Sequence, residues 1–269
     1  MKICPVNQFV KFSYDISKGS MATRYEKTKN VTDKVYDGLL DKIQDGKIRI
    51  KDIEAVTADA LPEKKYIKIV RLKNSDEYEG GCDYIEKRGD YIGQEIDIAT
   101  NGKTIKAEAL PTYMHELTHA VDTLYNPKYT AKTKEMERKN LYDRKFDRCY
   151  DNSLYAEEKY KTESEKTELI NKRKKEIKQW LAGRTADEKI TSIQLAKAML
   201  ESEVKAYHSE AMYAKKMQEK GFKLPEDQYV DGEKAFLFKE KIQLLNDIGK
   251  DIIRRERCKH AKALAAKQA

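Results

Sequence analysis

Apolar and polar residues along this chain first recur with a helical period, then alternate, then return to the helical period. In "VTDKVYDGLLDKI", Val31, Val35, Leu39 and Ile43 fall at helical spacing, which predicts an amphipathic helix. The 30 residues ahead of it are polar and weakly patterned, as expected of a loosely held arm. From residue 66 the period changes. "YIKIVRL" sets Ile67, Ile69 and Arg71 against Lys68, Val70 and Leu72, and "EIDIAT" places Ile96 and Ile98 between acidic residues. Both stretches predict strands, and the Gly-rich "YEGGCDYIEKRGDYIG" between them is read as turns. A small sheet is therefore expected ahead of residue 110.

Helical patterning then resumes. Pro111 suits the first turn of a helix, where a missing N–H is harmless, and Asn126 with Pro127 ends it after about four turns. Residues 131 to 182 are rich in lysine and glutamate with thin apolar support, which predicts a projecting helical hairpin broken near "CYDNS". Gly183 can take a left-handed cap, and "TADE" from Thr185 to Glu188 is a capping box. The helix it opens runs to about Lys220, and a last helix starts near Gly232. No internal repeat or low-complexity linker divides the chain. The expected organisation is an arm over residues 1–30 and one domain over 31–269, with 128–184 as a charged helical insertion. The fold class is α+β, mostly helical.

Composition narrows the partners. The 269 residues suffice for a substantial core, and 37% charged against 39% hydrophobic residues implies long solvated helices around it. The net charge of +8 is the difference of 54 basic and 46 acidic residues. Such interspersed signs do not demand a nucleic-acid partner. No run of 18 apolar residues occurs, so no membrane partner is expected. The cysteines, Cys4, Cys82, Cys149 and Cys258, are widely scattered and read as reduced thiols. The start, "MKICPVNQFVKFSYD", lacks the pattern of a cleaved signal. The expectation is a cytoplasmic protein, or one exported without a cleaved signal peptide.

The chemistry concentrates in "YMHELTHAVD", residues 113 to 122. The chain has only four histidines, and two of them, His115 and His119, stand four positions apart. On a helix, i and i+4 project from one face, so both imidazoles can bind one metal ion. Glu116 is displaced around the helix and faces the water such an ion would hold, as a general base does. From the chain's own composition, a chance HExxH arises with a probability of roughly 0.6%. A catalytic ion takes three protein ligands and keeps one position open. A third histidine six residues after the second would serve, but that position is Tyr125. The downstream "MLESEVKAYHSEAMY" offers Glu201, Glu203 and Glu210 instead. Ala196, Met199, Leu200, Ala206, Tyr207, Ala214 and Met217 form an apolar stripe with Glu203 in its middle. A carboxylate there is costly unless it is paired or binds metal, so Glu203 is the expected third ligand. Glu201, among Lys197, Lys205 and His208, is assigned to a solvated, ion-paired face. Two histidines and a glutamate around an open position favour zinc.

Carboxylates that hold ligand histidines by their free N–H are common. Asp122 lies one turn after His119 near the helix C-terminus, where the dipole disfavours it. A hydrogen bond to a ligand or a neighbouring basic group should offset that cost. Glu210 is a second candidate for such a role, with a plain salt bridge between helices as its alternative.

With "HELTH" at residues 115–119 and "EVKAY" at 203–207, the sequence resembles the zincin metallopeptidases of the gluzincin type, in which HExxH is followed by a glutamate on a downstream helix. The match covers little more than the active-site core. The interval of 84 positions between His119 and Glu203 is long for the type, consistent with the charged insertion. The resemblance implies a zincin-like core and zinc-dependent hydrolysis of a peptide or protein substrate. It implies Glu116 as the base that activates water and passes its proton to the leaving amine. A phenol or imidazole, Tyr207 or His208, would steady the oxyanion. It also implies an edge strand that pairs with extended substrate, for which "EIDIAT" is the expected one. Two other readings stand beside it: a non-enzymatic helical interaction protein with a vestigial metal site, and a secreted effector or toxin peptidase with the same chemistry.

Overall fold

The computed structural model describes residues 20–61, 67–73, 80–87, 90–100, 102–125, 163–224 and 231–268. The chain order is α1 (Ser20–Leu40), β1 (Lys47–Arg49), α2 (Ile50–Ala60), β2 (Ile67–Lys73), β3 (Gly80–Lys87), β4 (Asp90–Thr100), β5 (Thr104–Lys106), a 3-10 turn (Ala107–Ala109), α3 (Leu110–Leu124), α4 (Glu163–Trp180), α5 (Ala186–Glu219) and α6 (Asp231–Gln268). The fold is α+β and mostly helical, as the sequence pattern predicts. No helix among the described residues is long and apolar enough to cross a membrane.

Two apolar clusters organise the described residues. In the first, Val31, Val35 and Leu39 of α1, Ile53 of α2, Ile96 and Ile98 of β4 and Met114, Leu117 and Val121 of α3 are buried together with Tyr213 and Met217 of α5. In the second, Ile177 and Leu181 at the end of α4 pack with Ile193 and Leu200 of α5 and Ile242 and Leu245 of α6. Helix α5 belongs to both. At 34 residues it is about 50 Å long by the usual rise, so its first half lies in the helical bundle and its second half against α3. It starts where the capping box places it: Thr185 Oγ1 accepts from the Glu188 N–H at 3.3 Å, and Glu188 Oε2 accepts from the Thr185 N–H at 2.8 Å. Gly183, just ahead, has φ +75°, a left-handed conformation that glycine adopts without a Cβ penalty.

Helix α3 is buried on almost every side. Its apolar residues face α1, α5 and the sheet, so the polar groups it carries inward must find partners there. Pro111 sits at its first turn, and Leu124 ends it just ahead of Asn126 and Pro127.

Several expectations are corrected. Helix α1 begins at Ser20, so residues 20–30 are helical and not part of an arm. Residues 80–87, read as turns, form β3, because the glycines occupy its first two positions and "CDYIEK" continues the strand. Strands β1 and β5 pair antiparallel with Lys47 opposite Lys106, and α2 buries Ile50, Ile53 and Thr57 along one face. Strand β4, which contains "EIDIAT", is not an edge. It lies between β2 and β3, parallel to the first and antiparallel to the second, so over residues 94–98 it is paired on both sides and offers no open edge to a substrate strand. The end of α4 is packed into the second cluster; residues 131–162 of the expected hairpin, including its break at "CYDNS", lie outside the described residues.

Helices α1 and α2 approach closely at one point. A Cβ on Gly38 would stand 2.8 Å from Cγ1 of Val56, so glycine is what allows that contact.

Candidate metal centre

His115 and His119 project from one face of α3, and Glu203 projects from α5 opposite them. The two Nε2 atoms are 3.2 Å apart. One Glu203 oxygen lies 3.6 Å from His115 Nε2, and the other lies 3.5 Å from His119 Nε2. Three donors held about 2.1 Å from a tetrahedral zinc ion would stand about 3.4 Å from one another. The separations are close to that size, with one carboxylate oxygen facing each ring, and these three residues are the one group among the described residues whose donor atoms could hold a metal ion. Their exposure also suits an ion with one open position. The His115 side chain is 9% exposed and the Glu203 side chain 37%, so the site opens to solvent on the carboxylate side.

Both imidazole rings are held from behind. His115 Nδ1 is 3.1 Å from Glu210 Oε2, and Thr112 Oγ1 donates to the other Glu210 oxygen at 3.3 Å. His119 Nδ1 is 2.8 Å from Ser202 Oγ. A partner at each Nδ1 fixes the ring so that the Nε2 atoms point toward one another and toward Glu203, the orientation a metal requires. The Tyr207 ring stands edge-on to His115, with centroids 4.5 Å apart.

Charge in this pocket is unbalanced. Glu116, Glu203 and Glu210 surround two imidazoles, so a cation is favoured between them. Burial opposes a charge on His115, but hydrogen bonds to Glu203 and Glu210 outweigh it and hold the imidazolium up to about 10. Burial likewise opposes the Glu203 carboxylate, yet the charge of His119 and hydrogen bonds to both histidines hold it well below the usual range. Glu116 differs. Burial pushes its carboxyl up, and the two histidines only partly offset this, which makes it a stronger proton acceptor than a solvated glutamate.

The predicted residues divide accordingly. The structure brings His115, His119, Glu203, Glu116 and Glu210 together, with Tyr207 against the cluster. His208 is exposed, five positions and thus about 140° around the helix from Glu203, so the imidazole alternative for the oxyanion role is not placed toward the donors. Asp122 pairs with Lys205 Nζ at 2.9 Å, the basic-group alternative, while the contact to His119 comes from Ser202. Lys205 is 3% exposed and Lys197 9%, and Glu201 is only partly exposed, which corrects the expectation of a solvated face. An apolar stripe describes a helix packed on one side, whereas α5 packs against both α3 and α6. Ser202, Thr112 and Lys205 carry no sequence signal for these contacts, since each depends on the register of α5 against α3. Comparison of the chain with family models, characterised proteins and solved structures found no match.

Proposed function

We propose that this protein is a zinc-dependent peptidase with a zincin-like core, in which His115, His119 and Glu203 hold the ion. The observation that carries this reading is the convergence of two Nε2 atoms 3.2 Å apart with the Glu203 carboxylate, whose two oxygens lie 3.6 and 3.5 Å from them, beside a buried carboxylate, Glu116, one residue after His115. The donor set of two imidazoles and one carboxylate fits zinc, which when bound supplies Lewis acidity for a peptide carbonyl and lowers the pKa of water.

The chain's own residues do the rest. Glu116 takes the proton of the attacking water, aided by the burial that raises its basicity, and returns it to the amine as the C–N bond breaks. Glu210 and Ser202 keep the two imidazoles from rotating. Tyr207 is the group suited to hydrogen-bond the oxyanion, as its ring already lies against His115. An extended substrate would add to an edge of the three-stranded sheet at β2 or β3, since β4 is enclosed.

The test is elemental analysis together with hydrolysis of a mixed peptide library. One zinc per chain is expected in wild type and in Glu116→Ala, with hydrolysis in wild type and a loss of at least ~100-fold in the variant. Absence of zinc, or equal hydrolysis in the two proteins, refutes the proposal and favours a helical interaction protein.

A further inference from the structure

A serine in the middle of a long helix is at best neutral for that helix, because its hydroxyl competes for backbone groups. Ser202 holds such a place in α5, one residue ahead of Glu203, and its oxygen stands 2.8 Å from His119 Nδ1. The register that sets this contact is fixed three residues later, where Lys205 pairs with Asp122 of α3 at 2.9 Å.

Neutral imidazole carries one proton on either of two nitrogens, and only the Nδ1–H form leaves the Nε2 lone pair for a metal. We propose that Ser202 is a positioning residue for the metal centre: its hydroxyl accepts the Nδ1–H of His119, selecting the tautomer and ring plane that aim Nε2 at His115 and Glu203. This rests on the zinc site proposed above. The two ligand histidines are then held unequally. His115 is backed by a carboxylate, itself fixed by Thr112, whereas His119 is backed by a neutral hydroxyl that withholds charge from the ring. A single hydroxyl group thus decides whether His119 is ready to bind.

Zinc affinity of the full chain, measured by competition with a chelator, separates this role from a structural one when read beside denaturant unfolding of the metal-free protein. Ser202→Ala is expected to weaken zinc roughly 10- to 100-fold. Its metal-free stability should be unchanged or slightly higher, as alanine is the better helix former. Ser202→Thr keeps a hydroxyl and is expected to bind within about threefold of wild type, the loss in the alanine variant being that of a positioning hydrogen bond. An alanine variant that binds zinc as wild type does, or a threonine variant as weak as the alanine one, overturns the inference. A wild-type chain that takes up no zinc overturns the proposed function itself, and this inference with it.

Discussion

Replacing Lys205 by methionine should destabilise the metal-free protein by about 3 to 5 kcal/mol, the cost of breaking a buried ion pair by removing one partner. The Lys205 side chain is 4% exposed and that of Asp122 is 14%, so neither charge can turn to water without local opening. Methionine fills nearly the same volume, which keeps the cavity contribution small. What remains is electrostatic. Asp122 would be left in the last turn of α3, where the helix dipole already disfavours it, and the buried Glu201 carboxyl would lose the ammonium that holds it down. The two partners are therefore not equivalent. Asp122→Asn leaves Lys205 with Glu201 nearby and should cost about 1.5 to 3 kcal/mol, the range for a hydrogen bond to a charged group. The double variant removes both charges and should be more stable than the sum of the two losses predicts, by at least ~1 kcal/mol. Urea unfolding of the four proteins in chelator at pH 8 measures the cycle. A Lys205→Met loss below about 1 kcal/mol, or strictly additive losses, would refute a buried ionic link between α3 and α5.

Two further predictions concern groups away from the donor atoms. Burial pushes the Glu201 carboxyl up to about 7, with Lys205 opposing; the folded state therefore binds this proton more tightly than the unfolded chain, in which the group ionises near 4.5. Its contribution to stability is full below pH 4.5 and lost as pH rises through about 7, a change of about 3 kcal/mol. Glu201→Gln has no such proton to lose, so in chelator it should be more stable than wild type at pH 8 and show a flatter stability profile between pH 4.5 and 7; identical profiles would sink the assignment. At Gly38, alanine would gain up to about 1 kcal/mol of helix propensity but place its Cβ 2.8 Å from a Val56 methyl, in a side chain too stiff to turn aside. The net result should be a loss of up to about 2 kcal/mol, largely relieved by Val56→Ala, and thermal unfolding of the two variants decides it.

What the sequence discloses about this molecule follows from the range of the interactions involved. His115 and His119 are legible because their relation is set inside one helix: four residues bring two side chains to the same face whatever surrounds them. The capping box at Thr185 and the left-handed Gly183 are legible for the same reason. Glu203 is reached by a weaker argument, a carboxylate within an apolar stripe, which works because burial is costly for a charge without a partner. Lys205 and Glu201 are not legible in the same way. A single stripe describes a helix packed on one side, and α5 is packed by different neighbours along its length, with α3 and α6 on different faces.

Strand order is lost for a related reason. Alternation in "EIDIAT" specifies which side chains point to which face, yet it says nothing of which backbone edges are bonded. Whether β4 is an edge or a centre depends on β2 joining it in parallel and β3 in antiparallel register, and β3 begins with two glycines that mimic a turn. Ser202 is the extreme case. A serine beside Glu203 is chemically unremarked until α5 is docked, and its hydroxyl then stands 2.8 Å from His119 Nδ1. The pairing of His115 with His119 is thus written into local spacing, while the groups that orient their rings are written into the fit of α5 on α3. A change at the Lys205–Asp122 contact should accordingly weaken zinc in the proposed site even though neither residue is one of its donors: sliding α5 would move Ser202 and Glu203 together, away from the His119 Nδ1 and the two Nε2 atoms from which they now stand 2.8 and 3.5 to 3.6 Å.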